Sequence, residues 1–227
     1  MKYAIIGSGK IGTALARVFA RKNIDFAIAN SRGPETLASL RAELGPSVHP
    51  QSIDEACKAE MLFLAVPFAA HKDVAKRSKE WKRKVIVDAT NTFHVAPEEL
   101  GDVLSSELMS RAFAGARLVK GFNHLPAAQL GTNSSSNGQR QAVFLSSNDA
   151  DASASVASVA TQLGFSPVEL GRLEEGGVPL HVVGGQPGGL LFQNLVSESR
   201  SERRRARANE GRRVSPERAR QDRHLPT

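Results

Sequence analysis

Residues 1–21 read MKYAIIGSGKIGTALARVFAR, and this stretch decides the fold. Tyr3–Ile6 is a short apolar run of the kind that forms a buried strand, and Ile11–Arg21 repeats its apolar residues at helical spacing. Between them, Gly7–Gly12 spells G-x-G-x-x-G. A glycine-rich turn between a strand and a helix is the context in which this weak motif becomes informative. Gly7 would permit the tight turn and Gly12 the close packing of helix on strand. Gly9 would let backbone N–H groups approach a pyrophosphate without a Cβ in the way. The positive end of the helix dipole would face the same group. The alternative is a glycine-rich turn that binds nothing, and the order of strand, motif and helix favours a dinucleotide.

The next strand, Phe26–Ala29, tests which dinucleotide. Sites for NAD place an Asp or Glu at this strand end, about 20 residues after the motif, to accept from the ribose hydroxyls. Here Asn30 stands in that place, followed by Ser31 and Arg32. A hydroxyl and a guanidinium suit a 2′-phosphate, with no carboxylate at the strand end to repel it. The reading is therefore NADP(H), set against an ordinary loop arginine.

Further along, apolar runs keep alternating with amphipathic stretches, the pattern of strand–helix units on a parallel sheet. Strands are expected near Ser47–His49, Met61–Val66, Lys84–Asp88 and Leu118–Phe122, and helices over Pro34–Leu44, Ile53–Ala59, Ala69–Trp81 and Ser106–Ala114. Pro34 suits a first helical turn, Gly45 a helix stop and Ser52 an N-cap. After Phe122 a polar stretch, 131–139, leads to AVFLSS, a small-residue helix near Ala150–Leu163 and the short strand SPVEL. The expected fold is α/β, a Rossmann-type, doubly wound, mostly parallel sheet. Residues 1–122 form the cofactor domain, residues 123–196 a small α/β extension completing the second-substrate site, and 197–227 an Arg-rich tail.

Ligands of such sheets lie beyond the carboxyl ends of the strands. That draws attention to Val66 and Pro67 after the fourth strand, Ala89, Thr90 and Asn91 after the fifth, and Asn123 and His124 after the sixth. Each taken alone could be a polar strand-to-loop transition. His124 could donate to a substrate or stabilise negative charge formed on hydride arrival, or be a structural loop histidine. No Ser/His/Asp or Lys-centred arrangement stands out, so no catalytic residue is assigned.

Composition narrows the class. The 227 residues are 41% hydrophobic and 23% charged, ordinary for a globular protein. A single cysteine, Cys57, excludes an internal disulfide and any multi-cysteine metal site, and no metal is expected. No leader and no apolar run of about 20 residues is seen, so the chain reads as cytoplasmic without a membrane partner. The net charge of +7 is unevenly placed: ten Arg against five acids from Ser197 to Thr227 give +5, leaving +2 for residues 1–196. The tail has few apolar side chains and is expected to be disordered. Its charges interleave with acids and lack aromatics, which argues against nucleic acid.

Taken together, MKYAIIGSGKIGTALA, IANSRGPETL, LAVPF, DATN and VKGFNHLPA resemble the NADPH-dependent reductases of the deazaflavin coenzyme F420 over roughly residues 1–195. The soluble domain of six-transmembrane metalloreductases is similar to that family too. The resemblance implies that Gly7, Ser8, Gly9, Lys10, Ile11 and Gly12 bind pyrophosphate and Ser31 and Arg32 the 2′-phosphate. It implies that Val66, Pro67, Ala89, Thr90 and Asn91 border the nicotinamide, with Asn123 and His124 near a second carrier, a deazaflavin or a flavin. The partner is then a small-molecule hydride acceptor, and a homodimer stays open. Hydride passing directly between two rings needs positioning more than acid–base groups. The competing readings are a non-catalytic NADP(H)-sensing module and a reductase of another small substrate, such as a β-hydroxyacid or pyrroline carboxylate type.

Overall fold

The computed structural model describes residues 1–93, 95–101, 103–131, 135–136 and 139–176. The expected tail at 197–227 lies outside them. In chain order the elements are β1 Tyr3–Ile6, α1 Lys10–Arg21, β2 Phe26–Ala29, a 3-10 turn Pro34–Leu37 running into α2 Ala38–Leu44, β3 Val48–Pro50 and α3 Ile53–Ala56. There follow β4 Met61–Leu64, α4 His71–Ala75, β5 Val85–Asp88, α5 Pro97–Leu100, α6 Ser105–Ala112 and β6 Arg117–Gly121. Last come α7 Ala127–Gly131, the hairpin β7 Ser135–Ser136 and β8 Gln139–Arg140, β9 Ala142–Ser147, α8 Ala150–Gln162 and β10 Ser166–Glu169.

Eight of these strands form one sheet in the order β10-β9-β6-β5-β4-β1-β2-β3. Strands β1 to β6 are mutually parallel, in the doubly wound order expected, and β9 joins β6 antiparallel, with β10 parallel to β9. The order of the chain reverses between β1 and β4, which is where such sheets open a ligand crevice.

Strand alternation builds two cores. Ile5, Met61, Phe63, Val85, Val87 and Val119 face one layer with Leu15, Val18 and Phe19 of α1 and Val156 and Val159 of α8. Ala4, Ile6, Leu62, Leu64, Ile86 and Leu118 face the other, with Val74 and Ala75 of α4, Trp81, Met109 and Phe113. A sheet buried on both faces explains why its strands read as continuous apolar runs.

Several boundaries differ from the sequence reading. The helix expected over Ala69–Trp81 is a 3-10 turn, Phe68–Ala70, and a helix of only His71–Ala75. The Trp81 indole N–H donates to the Ala75 carbonyl at 2.9 Å, taking an acceptor that helical continuation would use. Ser78 Oγ meanwhile bonds the backbone of Glu80, a local turn that competes with helix. β4 stops at Leu64 rather than Val66, with the Ala65 N–H making a last bond to the Ile6 carbonyl at 2.8 Å. The expected helix Pro34–Leu44 is split by its 3-10 first turn.

Candidate functional site

The three glycines of the motif do different physical work. Gly7 has φ +110°, and a Cβ there would sit 2.3 Å from the Ala65 carbonyl oxygen. A Cβ on Gly12 would come within 1.9 Å of the Gly7 carbonyl oxygen. Both positions are therefore closed to any larger residue by the strand–turn–helix packing itself. A Cβ on Gly9 would meet nothing within 4 Å. Gly9 is also the N-cap of α1, with no side chain capping the helix and no acid in its first turn. The first N–H groups of a 12-residue helix thus begin beside open space.

Asn30 ties this turn to the next loop. Its Nδ2 donates to Ser8 Oγ at 2.9 Å and to Thr36 Oγ1 at 3.0 Å, and its Oδ1 accepts from the Arg32 backbone N–H at 2.9 Å. The carboxamide is needed at both ends: one end donates, the other accepts. A carboxylate would lose the donor side. Ser31 and Arg32 project from this pinned loop, exposed, and among the described residues no carboxylate pairs with the Arg32 guanidinium.

These residues line one cavity of about 700 Å³. Gly7, Ser8, Gly9, Ser31, Arg32, Val66 and Pro67 are brought together there, with Asn30 and Ala65. Lys10, Ile11 and Gly12 belong to the start of α1 and do not line it, nor do Ala89, Thr90, Asn91, Asn123 and His124. The cavity also takes in residues the sequence reading did not single out: Ile53 of α3, and Asp73, Val74, Lys76 and Arg77 at the end of α4. The signal available for Lys76 and Arg77 was the run of basic residues at 72–84.

At the carboxyl ends of β5 and β6 the polar groups are buried and joined to each other. Lys120 Nζ reaches Asp88 Oδ2 at 2.9 Å and the Thr90 carbonyl at 2.7 Å, with both ionic side chains at most 2% exposed. Asp88 Oδ1 accepts from the Thr90 backbone N–H at 2.9 Å and from Thr90 Oγ1 at 2.7 Å. Asn91 Nδ2 donates to the Asn123 carbonyl at 2.8 Å, and Asn123 Nδ2 to Asn91 Oδ1 at 2.9 Å. Ala89, Thr90, Asn123 and His124 are all buried.

His124 packs its ring against Phe144, centroids 5.0 Å apart, and its Nε2 lies 3.5 Å from the Ala142 carbonyl. Burial pushes its pKa down to about 4, with the carbonyl contact opposing the shift. At neutral pH the ring is uncharged. It can bond or pack, and it offers no cation to a developing negative charge.

Residues 2–92 match the family described as NADP oxidoreductase coenzyme F420-dependent. The hypothetical protein SMa0349 from Sinorhizobium meliloti is 38% identical, with a TM-score of 0.78 over 83% of this chain and 93% of that one. A protein from Arthrobacter sp. FB24, described as an F420-dependent NADP reductase, is 26% identical, with a TM-score of 0.63 over 77% of this chain and 86% of its own. Among curated proteins, Metalloreductase STEAP2 of Mus musculus is 28% identical over 173 residues, 74% of this chain and 33% of its own length. The chain thus spans about a third of the curated relatives it matches. Among the described residues no helix is long and apolar enough to cross a membrane.

Proposed function

This chain belongs to the family of coenzyme F420-dependent NADP oxidoreductases, and from that premise we propose that it passes hydride between NADP(H) and a deazaflavin or flavin ring. The observation that carries the reading is the cavity itself. It combines an uncapped helix start at Gly9, an amide rather than an acid at Asn30, and the Arg32 guanidinium with no carboxylate partner among the described residues. That set suits a dinucleotide with an extra phosphate on its adenosine ribose.

In this reading the backbone from Gly7 to Gly12, including the N–H groups of Ser8, Lys10 and Ile11, holds the pyrophosphate. Ser31 and Arg32 hold the 2′-phosphate. Val66, Pro67, Ala89, Thr90 and Asn91 border the nicotinamide, and Asn123 and His124 the acceptor. NADP(H), when bound, supplies or receives the hydride. The chain's own part is to fix the two rings and exclude water, because no side chain at these positions is poised to move a proton. The buried pair Asp88–Lys120 acts through Thr90, whose N–H, hydroxyl and carbonyl it fixes together. Residues 1–122 would then serve the dinucleotide, and residues 123–196 complete the acceptor side.

The likeness to metalloreductases supports a second acceptor, ferric ion reduced through a flavin. One experiment addresses both. NADPH and NADH are offered separately with coenzyme F420, FMN, or FMN plus a ferric chelate, while nicotinamide absorbance is followed. NADPH consumption with a ring acceptor, and much slower use of NADH, is the expected result. Equal use of the two nucleotides, or no turnover with any acceptor, would overturn the proposal. Turnover only when ferric chelate is present would favour the second acceptor.

A further inference from the structure

We propose that Arg77, which lines the same cavity as Arg32, is a second cationic ligand for the 2′-phosphate. The inference rests on the NADP(H) reading above and adds a specificity residue to it. Arg32 and Arg77 line the same cavity, one from the loop after β2 and the other from the turn that ends α4. The same cavity is also lined by Ile53 and Val74, apolar side chains against which a flat purine can lie. Cations at the rim of an apolar slot match an adenosine carrying an extra phosphate.

The side chain is held loosely enough to change partner. Arg77 Nε meets Asp54 Oδ1 at 3.4 Å, and the two side chains are 50% and 60% exposed. An ion pair of that length and exposure contributes little. Its backbone, in contrast, is fixed, since the Arg77 N–H donates to the Val74 carbonyl at 3.0 Å. The guanidinium therefore starts from a set point on the rim and can present its planar fork to phosphate oxygens. Lys76 lines the cavity too, in an exposed pair with Asp73 at 3.0 Å that contributes as little, and its ammonium is a point charge without that fork.

The test uses 2′,5′-ADP and 5′-ADP, which differ only in the phosphate at issue, titrated calorimetrically into the 227-residue chain and its Arg32→Ala and Arg77→Ala variants. Arg77→Ala should weaken 2′,5′-ADP by roughly tenfold to a hundredfold. It should change 5′-ADP by less than about threefold, within the scatter expected of an exposed surface substitution. Arg77→Lys should recover only part of the loss. If Arg32→Ala abolishes the preference for 2′,5′-ADP while Arg77→Ala keeps it, the functional reading stands and this inference falls. Equal weakening of both ligands by Arg77→Ala would also overturn it, pointing to purine stacking or loop structure. A native chain without preference for 2′,5′-ADP would overturn both the reading and the inference.

Discussion

The carboxyl ends of β1, β2 and β4 and those of β5 and β6 lie in one parallel sheet, yet they treat polar groups in opposite ways. Around the first set the groups are left available: helix N–H groups beside Gly9, an Arg32 with no carboxylate partner among the described residues, and rim cations in exposed pairs. Around the second set they are spent on one another. Asp88, Thr90 and Lys120 form a buried knot, and Asn91 and Asn123 exchange hydrogen bonds beside it. The difference separates two tasks. An open polar edge can bind a charged ligand, whereas a closed one fixes its own backbone.

The sharpest way to break the closed half is Lys120→Met. It leaves Asp88 buried without its cation, a change that costs about 3–5 kcal/mol because the remaining charge is desolvated and unpaired. Urea unfolding should show the loss, and adding Asp88→Asn to the same chain should restore much of it. A Lys120→Met protein of unchanged stability would mean that the pair contributes nothing to holding β5 and β6 together.

A somewhat smaller effect is expected from acid. His124 titrates near 6.5 when unfolded and at about 4 when folded. Because the folded value is the lower one, the unfolded chain binds the extra proton first. The neutral ring's contribution is complete above about 6.5 and is lost as pH falls toward 4, amounting to about 2 kcal/mol by pH 5. His124→Gln should flatten the fall in stability over that window. Identical pH–stability curves for the two proteins would show that the ring is not held neutral by the fold.

The open half was legible in sequence and the closed half only in part, for physical reasons. Gly7 and Gly12 are dictated by contacts within six or so residues and with the neighbouring strand, so a local motif reports them. Asn30 is legible because a strand end lies a fixed distance from the motif. Lys120 gave no such signal: it falls inside the strand expected over Leu118–Phe122, but nothing local marks its charge as buried and paired until Asp88, 32 positions earlier, is placed beside it. The reversal at β9 was equally hidden. AVFLSS carries the same apolar run as the parallel strands, and its direction is set by the connection through α7 and the β7–β8 hairpin rather than by its own composition. Arg77 was missed because apolar spacing continued a helix to Trp81, whereas the Trp81 indole takes the Ala75 carbonyl and ends it.

Returning to the open half, Arg32→Ala should leave folding intact and weaken NADPH relative to NADH by about 1.5–3 kcal/mol, the range of a hydrogen bond to a charged group. Asn30→Asp approaches the same contrast from the other side. The carboxylate would keep the acceptor for the Arg32 N–H but lose the donors to Ser8 and Thr36, while placing negative charge beside the 2′-phosphate position. It should therefore lower NADPH affinity and spare NADH, whose 2′-hydroxyl can donate to it. Fluorescence titration with both nucleotides checks the pair. If Arg32→Ala weakens NADPH and NADH equally, the guanidinium serves the loop and not the phosphate, and the open edge loses its claim to discriminate between the two.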